Sequence, residues 1–363
     1  MQPRQHKEMR IEPGEWKAGR IAWRSPANIA LVKYWGKKYF QIPQNASLSF
    51  GLNNSFTETS INYTTAQNQK KQTSFTFQGK AAPEFAGRVE KYLDLLAAHL
   101  PFLEQLHFDI SSSNTFPHSS GIASSASAFS SIALCLCSLE KEIFGTLKDE
   151  TEFYRKASFL ARLGSGSACR SVYPGFVVWG KRTSLPGSSN EYAIPVSNNI
   201  HKIFRKLKDA ILIVNPGSKK VSSSTGHHLM EGNPFAEARY RQAGRHLDEL
   251  LKILENGDFG DFAKILESEA LSLHAMMMSS DPSFLLLDAG SVEIIRKIRT
   301  FREQKGHQLC FTIDAGPNIH LLYTEEDERA VEKFINEELL PHCKNENWIN
   351  DKMGNGPQEL KSK

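Results

Sequence analysis

The sequence predicts an α+β fold in two domains, and three observations carry that prediction. Strand-like and helix-like stretches come in blocks and not in a regular βαβ alternation. No segment repeats at a fixed period. The chain has 363 residues, and at roughly 100 to 200 residues per domain that length favours two cores.

Residues 1–19 lack periodicity and are expected to fray. From Ile21 the pattern is strand-like: Asn28 to Trp35 is largely apolar, Ser47 to Leu52 alternates, and Thr59 to Tyr63 and Thr73 to Phe77 alternate with β-branched and aromatic residues. A helix is expected over Pro83 to His99, with Pro83 in its first turn. A strand follows near Leu106 to Ser112, then a polar loop. A long helix runs from Gly121, with Ile122, Ala126, Phe129, Ala133 and Leu136 at spacings of three or four. A helix near Thr151 to Leu163 and a strand near Phe176 to Trp179 close this half.

Lys181 to Asn199, rich in Pro, Gly, Ser and Asn, is the candidate junction, giving domains at 20–190 and 200–345. Beyond it come a strand (Ala210 to Val214), helices with Leu247, Leu250, Leu251 and Leu254 on one face, and more helix through Met278. A final unit reads helix (Val292 to Gln304), strand (Gln308 to Ile313), strand (Ile319 to Tyr323), helix (Glu326 to Leu340). The polar stretch 347–363 is expected to fray.

Composition excludes several classes. A net charge of +4, with no block of five or six like charges, gives no nucleic-acid footprint and fits a small anionic substrate equally well. No window approaches the ~18 consecutive apolar residues of a membrane span. Met1 to Trp16 is polar, so a cytoplasmic protein without membrane partners is expected. Five cysteines without a Cys-x-x-Cys pair argue against a disulfide framework or a zinc site. His274 and Met276 to Met278 read as core packing or its margin.

Four stretches carry chemistry. Asn114 to Ala128 is a Ser/Gly-rich loop running into a helix, a geometry that aims backbone N–H groups and a positive helix end at a phosphate; a Ser-capped helix after a turn fits it equally. It matches neither the Walker A loop nor Gly-x-Gly-x-x-Gly. Gly164 to Ser171 lets backbone approach a ligand and offers Arg170 as a fork for carboxylate or phosphate, or is a flexible turn with an exposed Arg. Its spacing is not Gly-x-Ser-x-Gly, so a serine hydrolase has no support. Ile313 to Asn318 is a tight turn whose carboxylate, Asp314, caps its own backbone or faces a ligand. Asn28 to Lys38 ends in cations and an aromatic pair, at a solvated strand exit or at a site.

The order of these stretches resembles the diphosphomevalonate decarboxylase family of the GHMP kinase superfamily. Ser25 to Lys37, with Lys33-Tyr-Trp-Gly-Lys37, is similar to the family's amino-terminal signature, and Asn45 to Ser49 to the segment after it. Asn114 to Pro117 with Gly121 to Ala126 resembles its phosphate loop, and Ser165 to Ser171 and Asp314 to Asn318 match closely. Lys219 to Thr225 matches loosely. His118 in place of the usual Thr, a short Lys38 to Pro43 segment, and Gly226 to Met230 depart from the pattern.

The resemblance implies a mixed-sheet amino-terminal domain and a carboxy-terminal domain with an antiparallel sheet and flanking helices, with the site between them. It also implies ATP-dependent decarboxylation of mevalonate 5-diphosphate to isopentenyl diphosphate through a 3-phosphorylated intermediate, with ATP and Mg²⁺, and a homodimer. Asp314 would act on the 3-hydroxyl. Arg170, steadied by Asn28, would hold carboxylate or diphosphate, helped by Ser167. Tyr34 and Lys37 would take the diphosphate. Asn114, Gly121, Ala123, Ser124 and Ser125 would cradle ATP, with Ser124 or Ser125 near Mg²⁺. Decarboxylation of the 5-monophosphate, a mevalonate-type kinase, and a non-catalytic anion or ATP sensor remain as alternatives.

Overall fold

The computed structural model describes residues 9–66, 71–117, 122, 124–196, 199–215 and 223–361. The amino-terminal half runs β1 (Ala18–Val32), β2 (Ser47–Thr65), β3 (Thr73–Phe77), β4 (Lys80–Ala81), α1 (Pro83–Leu96), β5 (Leu106–Asn114), α2 (Ser124–Phe144), α3 (Glu150–Gly164), β6 (Phe176–Trp179) and β7 (Ala193–Pro195). The rest runs β8 (Lys208–Leu212), α4 (Ser223–His228), α5 (Ala236–Asn256), α6 (Phe259–Met278), α7 (Ala289–Lys305), β9 (Leu309–Ile313), β10 (Ile319–Tyr323), α8 (Glu328–Phe334), β11 (Trp348–Lys352) and β12 (Gln358–Glu359).

The first sheet has the order β12-β1-β2-β5-β3-β4, with β6 pairing β2 and β7 pairing β6. Among the described residues only β3 and β5 pair in parallel, so this sheet is mixed. The second, β11-β8-β10-β9, is antiparallel throughout. This is the α+β arrangement expected.

The helices form for local reasons. Asp149 accepts the Glu152 N–H to open α3, and Asp258 accepts that of Asp261 to open α6. Gly257, at φ 86°, ends α5 in the left-handed conformation that favours glycine. α2 is buried almost all round and is not the half-solvated helix its apolar stripe suggests. Its other face meets β2 through hydroxyl pairs, Thr57 to Ser127 at 2.6 Å and Thr59 to Ser131 at 2.7 Å, while Ser130 meets Ser25 of β1. Buried hydroxyls that satisfy one another make a polar interface tolerable inside a core.

The apolar clusters do not divide at residue 190. One lies between the first sheet and α1 to α3, and another between the second sheet and α7 and α8. A further one joins Ile29, Leu31, Leu48 and Phe50 of β1 and β2 to Ile211, Leu247 and Phe262 of the later half. Within the candidate junction, β7 returns to pair with β6. The exit of β1 is thus packed where the two halves meet.

Both expected frayed ends need correction. Met9 and Ile11 are buried against the amino-terminal core, and Gln105 bonds both the N–H and the carbonyl of Ile11. Residues 348–352 form β11 on β8, and Gln358 and Glu359 pair with Arg24 and Trp23 of β1. Polar composition hid these strands, because they sit at sheet edges where pairing is by backbone. Asp351, 1% exposed, accepts the N–H groups of Asn53 and Asn54 at 2.9 and 2.8 Å. At ~1.5 kcal/mol or more per charge-assisted bond, Asp351→Ala should lower stability by about 2 to 4 kcal/mol in a urea titration. A variant with an unchanged midpoint would contradict this.

Candidate active site

The site is built at the exit of β1, where alternation stops and polar residues turn inward. The β1–β2 register shifts between Pro26 and Asn28 and again between Ala30 and Val32, irregularities that re-aim side chains. Asn28, 4% exposed, donates to Ser171 Oγ at 2.7 Å and to the Ser167 carbonyl at 3.2 Å. Its Oδ1 accepts from Arg170 Nη2 at 3.3 Å.

Arg170 lies in a 3₁₀ turn (Gly166–Arg170) after α3 and is buried. Nε donates to Ser49 Oγ at 2.8 Å and Nη1 to Ser47 Oγ at 2.6 Å. All three partners are neutral, and among the described residues no carboxylate forms an ion pair with it. Burial lowers its pKa, while the Cys169 thiol and the Asp314 carboxylate pull it back up. Three bonds out of the five N–H groups of a guanidinium leave one donor on each terminal nitrogen. A buried cation held only by neutral oxygens is prepared for an anionic ligand.

Asp314 follows β9 in the turn before β10. Its Oδ1 receives the Lys33 ammonium at 2.8 Å, with the Lys33 side chain 1% exposed and that of Asp314 29% exposed. The same ammonium donates to the Ala30 carbonyl at 2.7 Å. His274 donates from Nε2 to the Asp314 carbonyl at 3.0 Å. Lys33 and His274 are absent from the sequence-derived site. Lys33 was visible within its motif, but His274 gave no signal beyond its place among apolar residues.

Tyr34 and Lys37 diverge. The Tyr34 ring packs edge-on against Trp179 at 4.7 Å and lies tilted against His227 at 4.2 Å, and its buried hydroxyl has no hydrogen-bond partner among the described residues. Burial, helped by the nearby Cys169 thiol, pushes the Tyr34 pKa up, so the phenol stays a neutral donor. Lys37 donates to Gln41 at 3.0 Å and lines a cavity of about 340 Å³ with Gln44, His227, Glu231, Glu237 and Tyr240. Burial lowers its pKa. The Gly36 N–H donates to His227 Nδ1 at 2.9 Å. Gly36 has φ 90°, and an added Cβ would meet Tyr240 Oη at 2.2 Å, so position 36 admits only glycine.

The α2 amino terminus begins at Ser124, with no acidic residue in its first turn. Ser125 Oγ lies 3.3 Å from Ser165 Oγ, which joins the loop–helix stretch to the Arg170 segment. Asn114 accepts from the Thr57 hydroxyl at 2.8 Å. With Ser124 and Ser125 it borders a cleft walled by Phe75, Phe77, Phe85 and Arg88, which sequence reasoning missed because β3 and α1, distant in sequence from α2, supply these walls. Gly121, Ala123, His118 and residues 219–222 lie outside the described residues. The five cysteines are buried and free.

Two histidines give the site a pH signature. Burial lowers His227 to about 3, with Lys37 adding to the effect, and lowers His274 to about 4, only partly opposed by its bond to Asp314. The unfolded chain therefore binds more protons than the fold at pH values below about 6.5. Stability from these groups is full above that value and lost as pH falls toward 4. The melting temperature should drop over that window, and His227→Gln should flatten the drop; an equally steep profile in the variant would count against this origin.

Comparison with known proteins places these features. Residues 25–192 match the model of the diphosphomevalonate decarboxylase-like N-terminal domain, and 210–362 that of the mevalonate 5-diphosphate decarboxylase C-terminal domain. Diphosphomevalonate decarboxylase of Candida albicans is 30% identical over 320 residues, 85% of each chain. The mevalonate diphosphate decarboxylase structure from Staphylococcus aureus superimposes with a TM-score of 0.81 at 29% identity, covering 96% of this chain and 99% of that one. A structure of MDDEF in complex with MVAPP, AMPPCP and magnesium gives 0.80 at 26% identity, covering 95% and 100%.

Proposed function

The chain belongs to the diphosphomevalonate decarboxylase family, and from that premise we propose how its residues carry out ATP-dependent decarboxylation of mevalonate 5-diphosphate to isopentenyl diphosphate in the mevalonate pathway. The observation that carries the reading is Arg170, a buried cation without a carboxylate ion-pair partner among the described residues, on which the charge of Asp314, itself paired with Lys33, still acts.

ATP with Mg²⁺ supplies the phosphoryl group that turns the tertiary 3-hydroxyl into a leaving group, giving a 3-phosphorylated intermediate on the way to alkene and carbon dioxide. The first turn of α2 fits that partner, since its positive end and hydroxyls lack a competing acid. Ser124 and Ser125, with Asn114, would hold the phosphates and the metal, and the Phe75–Phe77–Phe85 cleft would take the purine.

Asp314 accepts the hydroxyl proton or orients the hydroxyl. Lys33 keeps that carboxylate aimed, because its ammonium donates to Oδ1 at 2.8 Å. Arg170, with Ser167 and Asn28 beside it, holds the substrate carboxylate. Decarboxylation drains negative charge from that group, so Arg170 positions more than it stabilises the transition state. Lys37 takes the diphosphate from the cavity it lines, and Tyr34 offers its hydroxyl as a neutral donor. Lys37→Met should raise KM for the diphosphate substrate about tenfold or more and leave kcat within about threefold, as read by initial rates. A fall in kcat alone would move Lys37 into the chemistry.

The test is carbon dioxide release and ADP formation with mevalonate, its 5-phosphate and its 5-diphosphate in parallel. Equal yields of both products with the diphosphate alone are expected. ADP without carbon dioxide would make the protein a kinase, and turnover of the monophosphate alone would move the substrate. Binding of ATP without turnover would make it a sensor. No helix among the described residues is long and apolar enough to cross a membrane; by the family likeness we place the enzyme in the cytoplasm as a homodimer, which sedimentation checks.

A further inference from the structure

Lys33 and Asp314 each stand one residue past a strand, β1 and β9, where no ladder continues to set their positions. Each is instead tied to α6. Glu269 accepts the Lys33 backbone N–H at 2.8 Å, and His274 donates to the Asp314 backbone carbonyl at 3.0 Å. Five residues apart on one helix, the two groups are separated by about 7.5 Å of rise, and the Lys33–Asp314 ion pair joins the two residues they hold.

Neither group is itself loose. Glu269 is fully buried, yet Arg239 donates to both its oxygens and His246 to Oε1 at 2.6 Å. Burial pushes its pKa up, but His246 and Arg239 outweigh that and hold the carboxyl below its usual range. Arg239 and His246 both come from α5, which fixes Glu269 and with it the rotation of α6. His274 is 2% exposed and stays neutral. The Asp314 carbonyl also accepts the Gly316 N–H at 2.8 Å within its own turn, a bond that shapes the turn without placing it against β1.

We infer that α6 is the alignment element of the site, with Glu269 and His274 as positioning residues that set the Lys33–Asp314 geometry through backbone atoms. The inference rests on the reading of Asp314 as the residue that acts on the hydroxyl. Misplacing such a group by ~1 Å costs up to about 100-fold in rate without weakening substrate binding.

The experiment compares His274→Leu, which loses the donor, with His274→Gln, which keeps an N–H within reach, using initial rates with the diphosphate substrate and ATP. His274→Leu should lower kcat by about tenfold or more with both KM values within about twofold, and His274→Gln should restore most of it. In an Asp314→Asn background the Leu substitution should have no further effect. Wild-type kcat in a folded His274→Leu enzyme, or equal losses in the Leu and Gln variants, would overturn the inference. Should His274→Leu not fold, Glu269→Gln is read by the same split, and wild-type kcat there would overturn it too. Asp314→Asn alone separates the two levels: if it keeps full kcat, the underlying reading has failed, whereas an inactive Asp314→Asn beside a fully active His274→Leu removes only the role of α6.

Discussion

Replacing Asp314 by Asn is expected to lower kcat by about 10³-fold, within the range of removing a general base, with both KM values nearly unchanged. The substitution keeps the shape of the side chain and its reach to Lys33, and removes the charge and the proton acceptor. It also strands the Lys33 ammonium, 1% exposed, opposite a neutral amide. Removing one partner of a buried pair is destabilising because the other charge stays uncompensated. The variant should therefore melt earlier as well as turn over slowly. Adding Lys33→Met should recover stability but not activity, and that divergence separates catalytic loss from structural loss. Single-turnover ADP formation and thermal melts on the two variants measure it. Recovery of kcat in the double variant would show that Asp314 serves the fold and not the reaction.

Arg170→Lys should reduce kcat/KM for the diphosphate substrate by about 10²- to 10³-fold, although the charge is kept. The guanidinium fork satisfies Ser47, Ser49 and Asn28 at once and still has donors for a ligand. An ammonium has three donors and no planar fork, so it must either orphan a buried hydroxyl or turn away from substrate. At ~1.5 to 3 kcal/mol per charge-assisted bond, losing a forked grip accounts for the expected range. Most of it should be in KM for the carboxylate-bearing substrate, because that interaction weakens as carbon dioxide forms. KM for ATP should not move. A loss shared equally by both substrates would mean that the whole turn carrying Arg170 has shifted.

How far the fold was legible depended on whether a segment is held by side chains or by backbone. Thr73–Phe77, Phe176–Trp179 and Ile319–Tyr323 are read correctly from alternation or from a continuous apolar run. β8 starts two residues before its expected start because it includes Asp209, a charged residue that hydropathy excludes; it is fully buried with His320 at 2.8 Å from its carboxylate. β11 and β12 were missed because their contribution is main-chain pairing. Asn28, Arg170 and Asp314 stood out by motif; a hydrogen bond joins Asn28 to Arg170, and the charge of Asp314 bears on the Arg170 guanidinium. Lys33 reaches Asp314 across 281 residues and Glu269 across 236. Such pairings leave no periodic trace, since a buried carboxylate on the packed face of a helix looks like a flaw in the stripe until its partners are seen.

The pairing of β12 with β1 sets a timetable for synthesis. Arg24 and Gln358, bonded across that edge, are 334 residues apart. At ~5 to 20 residues per second of translation, β1 waits roughly 20 to 70 s before its outer neighbour exists. During that interval the growing chain shows an unpaired strand edge, the kind that recruits other chains. Arg20 and Arg24 on this strand supply the charge that discourages such pairing. Interrupting elongation between β11 and β12 should thus leave a nascent chain nearly folded yet prone to self-association, while a ribosome paused before β8 leaves the second sheet unbuilt.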